Sequence, residues 1–104
     1  MGTARALKLT YTPAALPELA TILDFIDANS AGGSRRVKQR LREIERLLRR
    51  YPNAGHRTSH PRLRQIATTP YPYVFYYLVE ESAVIVIAVR HGARNTNPAD
   101  LAPD

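Results

Sequence analysis

The chain has 104 residues, no cysteine, and 15 lysine and arginine residues against 9 aspartate and glutamate residues, a net charge of +6. This composition predicts one domain with a single core and excludes disulfides, thiolate catalysis and cysteine-ligated zinc. A cytoplasmic protein is expected, because no apolar run approaches the roughly 20 residues that cross a bilayer and the amino terminus lacks the apolar core of a signal peptide.

The first half of the chain predicts one strand followed by two helices. Leu7 to Tyr11 alternates with period two, as a strand does. Thr12 and Pro13 form a helix-start pair, but Pro17 lacks an N–H, so the regular helix is expected only from near Leu16. A break from Asp27 to Gly33 separates the helices, and Pro52 ends the second. Their apolar stripes are Leu16, Leu19, Leu23 and Ile26, and Val37, Leu41, Ile44 and Leu48.

The second half predicts a loop, one strand and a β-hairpin. Residues 52–61 have loop composition, and residues 62–68 indicate a strand. Two aromatic and β-branched runs, 71–79 and 83–89, flank a short polar turn and favour a hairpin. The order β-α-α-β-β-β predicts an α+β fold with a helical hairpin on a curved, mainly antiparallel sheet. Residues 1–95 would form this single domain, and residues 96–104 a polar tail.

Both faces of the predicted hairpin are apolar. Because side chains alternate across a strand, one face carries Tyr73, Phe75, Tyr77 and Val79, and the other Val74, Tyr76 and Leu78. Two helices cover only one face, so we expect the other to be an open apolar groove with an arginine rim, suited to an acidic protein segment. The alternative is that the C-terminal tail folds back over this face with Leu101 as its anchor.

Histidine and arginine side chains gather at the end of the last predicted strand. His91 lies between Arg90 and Arg94, and Arg64 on a neighbouring strand is expected nearby. Such a group suffices for metal-free RNA cleavage, in which a base removes a 2′-OH proton and arginines stabilise the phosphorane. The same residues fit a polar seam that contacts a protein partner, which is the preferred interpretation. The other two histidines lie in a loop without a third ligand, so no metal or cofactor is expected.

The chain resembles the RelE/ParE family of small toxins from bacterial type II toxin–antitoxin modules. The resemblance extends from about Leu7 to Asn95, and the family's β-α-α-β-β-β fold agrees with the order of elements given above. The segments that carry it are Leu9–Ala15, Leu47–Pro52, Leu63–Gln65, Tyr71–Tyr77 and Val89–Arg94.

The resemblance implies a toxin held inactive by a cognate antitoxin, whose C-terminal segment wraps the helices and the sheet. The antitoxin-binding residues would be Leu19, Leu23, Leu41, Tyr73, Phe75 and Tyr77.

Two targets are known in this family. RelE-type members cut mRNA in the ribosomal A site, whereas ParE-type members inhibit DNA gyrase. No tyrosine follows Arg94, and the His-Gly-Ala-Arg ending resembles the ParE branch. The resemblance therefore implies gyrase as the target, contacted by Arg64, Arg90, His91 and Arg94. The alternative is a ribosome-dependent endoribonuclease that uses Arg64, His91 and Arg94. A nucleic-acid-binding module is a weaker third interpretation, because no aromatic residues interleave with the basic helix.

Overall fold

The computed structural model describes residues 6–94 and 96–101, and in them two helices pack on a five-stranded sheet. In chain order the elements are β1 (Lys8–Tyr11), α1 (Ala15–Asn29), α2 (Gly33–Arg50), β2 (His56–Arg57), β3 (Leu63–Ala67), β4 (Tyr73–Val79) and β5 (Ala83–His91). The strands lie in the order β1-β5-β4-β3-β2, with β1 parallel to β5 and the other pairs antiparallel. The predicted α+β class and mainly antiparallel sheet are confirmed. None of the helices in this described part is long and apolar enough to cross a membrane.

The start of α1 agrees with the prediction to within one residue. The helix begins at Ala15, whose N–H donates to the Thr12 hydroxyl at 3.1 Å. Pro17 therefore lies in the first turn, where backbone N–H groups have no partner within the helix and a missing donor costs nothing.

The segment between the helices is shorter than predicted. Because α1 continues to Asn29, the chain reverses within residues 30–32. Gly32 adopts a φ of 74°, a left-handed conformation that glycine reaches without a steric penalty. The predicted loop contains the short strand β2, whose two residues pair with Arg64 and Gln65 of β3.

The main core lies between α2 and the central strands. The apolar stripe of α2 repeats at intervals of three and four residues and therefore faces the sheet along the whole helix. Tyr11 of β1 closes one side of this core, with its ring edge-to-face on Phe75 at 5.9 Å. The buried members of this core are Ala15, Val37, Leu41, Ile44, Leu48, Phe75, Tyr77, Val84, Val86 and Val89.

A β-bulge interrupts the pairing of β4 with β5. Tyr77 lies opposite Val86, whereas Tyr76 lies opposite Ala88, so Ile87 is an extra residue on β5. Both Ile87 and Ala88 then pack on the face of the sheet away from the helices. The alternation of side chains along β5 therefore changes at this point.

The face of the sheet away from the helices is partly covered, and only part of it is the open groove that was predicted. Leu101 packs against it, after a short 3-10 turn at Pro98–Asp100 in which the Asn97 side chain accepts from Ala99 N at 3.1 Å. The alternative with Leu101 as anchor therefore describes part of this face. Beside Leu101 an apolar groove of about 570 Å³ remains, lined among others by Arg62, Leu78, Ile85 and Ile87. Residues 102–104 of the predicted tail lie outside the described residues. The side chains buried on this face, at most 7% exposed, are those of Leu63, Tyr76, Leu78 and Ala88.

Candidate functional site

The register of β3, β4 and β5 separates Arg64 from His91. Arg64 lies opposite Tyr77, whereas His91 lies opposite Tyr73, four residues away along β4. At the rise of a β-strand this offset is about 13 Å. The predicted grouping of Arg64 with His91 and Arg94 is therefore wrong, because the strand pairing places them at different levels of the sheet.

Arg64 instead stabilises the segment that follows α2. Its Nη1 donates to Gly55 O at 3.0 Å and lies 3.4 Å from Asn53 O. The Tyr77 hydroxyl donates to Pro52 O at 2.7 Å and accepts from Gly55 N at 2.9 Å. Burial raises the pKa of Tyr77 above its ordinary value, although the Gly55 N–H and the charge of Arg64 oppose this effect. A Cβ on Gly55 would lie only 2.5 Å from the Tyr77 oxygen, so glycine is required there.

The other three predicted target-binding residues line one groove of about 350 Å³ between the end of β5 and the first half of α1. They are Arg90, His91 and Arg94. The exposed His91 ring contacts Tyr73 edge-to-face at 5.8 Å, and its Nδ1 accepts from Ala93 N at 3.1 Å. In the neutral ring Nε2 then carries the proton and can donate to a ligand.

Glu18 of α1 is a site residue that the sequence did not reveal. Its Oε2 lies 2.8 Å from Arg90 Nε, and its Oε1 accepts from Val89 N at 3.0 Å. Because β1 ends opposite Val86, Val89 lies beyond the paired part of this edge, and Glu18 supplies the missing acceptor. Glu18 is 71 residues from Val89 in the chain, and its only sequence signal is its place as the acid in the first turn of α1.

The predicted antitoxin-binding residues divide into two groups. Leu41, Phe75 and Tyr77 are 5%, 0% and 0% exposed. The prediction that they form a contact surface is wrong, because α2 and β4 use these side chains to pack against each other. The role of the other three in antitoxin binding stays a prediction, and each of them is half-buried: Leu19, Leu23 and Tyr73.

Helix α1 carries two exposed large apolar side chains, Leu16 and Phe25. The predicted apolar stripe included Leu16, which the structure leaves largely outside the core, and did not include Phe25. Leu16 is 52% exposed and Phe25 is 66% exposed. Phe25 follows Ile22 by one helical turn and therefore lies on the same side of α1. Ile22 lines the groove of Arg90, His91 and Arg94, and Phe25 lies one turn further along α1, beyond the residues that line that groove.

Comparison with known proteins identifies the family. The family model of the ParE toxin of the type II toxin–antitoxin system parDE matches residues 9–96. Toxin RelE2 of Caulobacter vibrioides is 33% identical over 87 residues, which cover 84% of this chain and 97% of that protein. A chain of the chromosomal ParDE system from P. aeruginosa has the same fold, with a TM-score of 0.71 and 18% identity over 85% of this chain and 98% of that chain. The chain belongs to the ParE toxin family of type II toxin–antitoxin systems.

Proposed function

We propose that this toxin inhibits DNA gyrase through the groove lined by Arg90, His91 and Arg94, and that a cognate antitoxin neutralises it. The observation that carries the proposal is the ParE family match over residues 9–96, since gyrase is the target that the ParE branch implies. The position of Arg64 supports it. A ribonuclease centre needs its base and its phosphate-stabilising cations around one scissile bond, and Arg64 lies too far from His91 to share one.

The groove has the composition of a protein-binding site. Glu18 fixes Arg90, while Arg94 and His91 are exposed and available to a partner. Ile22 and Val89 provide apolar surface beside these charges. Arginine is common among the residues that dominate protein–protein binding energies, and here arginine lies beside apolar surface.

Supercoiling by purified gyrase in the presence of the purified toxin tests the proposal. The wild-type protein should inhibit supercoiling. Arg94→Glu should weaken inhibition by about tenfold or more, because a carboxylate at this position would repel the acidic surface of gyrase that the groove is expected to attract. Arg57→Glu makes the same charge change on β2, at the edge of the sheet farthest from β1, and should inhibit like wild type. Absence of inhibition by the folded wild-type protein would overturn the proposal.

A second candidate, ribosome-dependent mRNA cleavage, is supported by the name of the relative Toxin RelE2. Translation-dependent cleavage of mRNA, measured beside the supercoiling assay, separates the two. Cleavage that is lost in His91→Ala, without effect on gyrase, would replace the gyrase proposal. Inhibition of gyrase without cleavage would support it.

The antitoxin is expected on the half-buried apolar surface that the folded toxin retains. Leu19 and Leu23 of α1 and Tyr73 of β4 are the predicted contacts that keep partial exposure. An antitoxin that binds them should restore gyrase activity when it is added at a stoichiometric amount.

A further inference from the structure

A row of exposed cations follows α2 along one side. Its members recur at intervals of three and four residues, so they share a side of the helix that differs from the side of its buried apolar residues. This row, the cationic stripe, extends about 21 Å at the rise of an α-helix. Its five exposed members are Arg35, Lys38, Arg42, Arg46 and Arg49.

The positive charge of the cationic stripe is not offset by ion pairs. Within residues 6–94 and 96–101, no carboxylate oxygen lies within 4.0 Å of a charged nitrogen of the stripe. Two carboxylates lie beside it, and each already accepts a hydrogen bond: Glu45 from the Tyr11 hydroxyl, and Asp27 from the Ser34 hydroxyl. The stripe therefore keeps most of its charge for a ligand.

The contact of Tyr11 with Glu45 persists over a wide range of pH. Burial, the hydrogen bond to Glu45 and the charge of Glu45 together raise the pKa of Tyr11, so this hydroxyl remains a neutral donor. The hydrogen bond fixes Glu45 between α2 and β1, where it offsets only one of the cationic charges.

Two adjoining grooves run along the cationic stripe, and both include Arg42. One, of about 600 Å³, lies between α2 and β1, and Lys8 of β1 adds a further exposed cation there. The other, of about 400 Å³, lies beside the first turns of α2 and is lined by glycine and by polar or charged side chains. A ligand that follows the stripe is therefore met mainly by charge.

This chemistry favours a nucleic acid over a protein as the ligand. Protein–protein interfaces bury a core of aromatic and apolar side chains, whereas interfaces with nucleic acids are more polar and much more positively charged. Four of the five cations of the stripe are arginine, whose planar guanidinium donates to two phosphate oxygens at once. Phosphate groups in a row are therefore the ligand that the cationic stripe fits best.

A duplex fits the stripe better than a single strand does. Sequence-independent binding of single strands relies on aromatic side chains that stack on the bases. Among the described residues that line the two grooves, Tyr11 alone is aromatic, and its ring packs edge-to-face on Phe75 instead. A duplex carries one phosphate charge per about 1.7 Å of its axis, so a stripe of about 21 Å meets on the order of ten phosphate charges.

We propose that the cationic stripe of α2 binds the phosphate backbone of double-stranded DNA without reading its sequence. The choice of DNA over RNA rests on the proposed function, since gyrase acts on DNA. The stripe shares no residue with the groove of Arg90, His91 and Arg94, so separate surfaces of the toxin are available to gyrase and to its DNA.

Fluorescence anisotropy of a short labelled DNA duplex, titrated with the purified toxin in the absence of gyrase, tests the proposal. The logarithm of the affinity should fall linearly with the logarithm of the salt concentration, with a slope of about −4 to −5 for five phosphate contacts. Two duplexes of unrelated sequence should bind equally, because phosphate contacts carry no sequence information. Since the assay contains no gyrase, its outcome is separate from that of the supercoiling assay.

Removal of two cations from the stripe tests its role against the net charge of the protein. Arg42→Ala with Arg46→Ala should weaken duplex binding at low salt by at least about tenfold and lower the magnitude of the salt slope by about 2. Arg36→Ala with Arg57→Ala is the matched control and should keep the slope of wild type. It removes the same charge from exposed positions on another side of α2 and on β2.

Circular dichroism verifies that each variant is folded. Absence of duplex binding by the folded wild-type protein at low salt, or equal losses in the two double variants, would overturn the proposal. Tighter binding of polyglutamate than of the duplex at equal charge concentration would do so too, by assigning the stripe to an acidic protein. Tighter binding of an RNA duplex of the same sequence, or of either single strand, would equally contradict double-stranded DNA as the ligand.

Discussion

α1 and α2 lie on the same face of the sheet, but their apolar side chains are buried to very different extents. The four stripe residues of α2 are at most 5% exposed. In α1 only Ala15 is fully buried, whereas Leu16 is 52% exposed and Phe25 is 66% exposed. The other large apolar residues of α1 are half-buried: Leu19, Ile22, Leu23 and Ile26. One helix is therefore committed to the core, and the other keeps much of its apolar surface at the exterior.

The polar contacts of the two helices differ in the same way. α2 is connected to β1 through Tyr11 with Glu45 and to the residue before β1 through Arg49 with Leu7. α1 is connected to β5 at its first turn, through Glu18. The outer side of α2 is cationic and the outer side of α1 is partly apolar, so the two helices offer different chemistry to partners. Substitutions in α2 should mainly affect stability, and substitutions in α1 should mainly affect binding.

The largest effect is expected for Ile44→Ala in α2. Ile44 is 1% exposed and packs between the helix and the sheet, so truncation leaves a cavity in the main core. The free energy of unfolding should fall by about 2–5 kcal/mol, measured by urea denaturation. Leu16→Ala in α1 is the matched control and should cost less than about 1 kcal/mol, because half of that side chain is already in water. Equal losses in the two variants would contradict the difference between the helices.

A smaller effect is expected for Tyr11→Phe, which breaks the connection between β1 and α2. The pKa of Tyr11 is raised above its ordinary value of 10.0 by burial, by the hydrogen bond to Glu45 and by the charge of Glu45. Above about pH 10 the unfolded chain releases this proton while the folded protein retains it. The free energy of unfolding should therefore fall with rising pH, by up to about 1.4 kcal/mol per pH unit from this residue.

Urea denaturation of wild type and Tyr11→Phe at about pH 9 and about pH 11 measures this contribution. The decline between the two pH values should be smaller in the variant. It should not disappear, because burial also raises the pKa of Tyr77, which both proteins contain. Identical declines in the two proteins would show that Tyr11 ionises equally in the folded and unfolded states.

The contrast between the helices also explains how much of the fold could be predicted from the sequence. α2 and the β4–β5 hairpin depend on local patterns, and both elements were predicted. The pattern of the hairpin is its two aromatic and β-branched runs. The pattern of α2 is the spacing of Val37, Leu41, Ile44 and Leu48. β2 has only two residues and exists through its pairing with β3, so it carries no pattern of its own. The start of α1 was predicted to within one residue, because Pro17 restricts a regular helix to a start at which this proline falls in the first turn.

The candidate site was less predictable because it depends on contacts between distant segments. The sequence indicated Arg90, His91 and Arg94 correctly as neighbours, since they are close in the chain. The distance of Arg64 from His91 depends on strand register, which no short pattern specifies. The same holds for the contact of Glu18 with Val89. The place of Leu101 was one of two alternatives that the sequence left open, and the structure decides between them. Each required the tertiary structure.

The smallest effect on stability, and the sharpest test of the contrast, is expected for Phe25→Ala. Because this ring is 66% exposed, the free energy of unfolding should change by no more than about 0.5 kcal/mol. If gyrase contacts the exposed apolar surface of α1 beside the groove of Arg90, His91 and Arg94, inhibition should weaken by about tenfold, which corresponds to about 1.4 kcal/mol of lost binding energy. Leu47→Ala is the matched control, because Leu47 is an apolar residue that is 38% exposed and lies on the other helix, α2. Unchanged inhibition by both variants would show that gyrase does not use the exposed apolar surface of α1, and would leave the charged residues at the end of β5 as the contact.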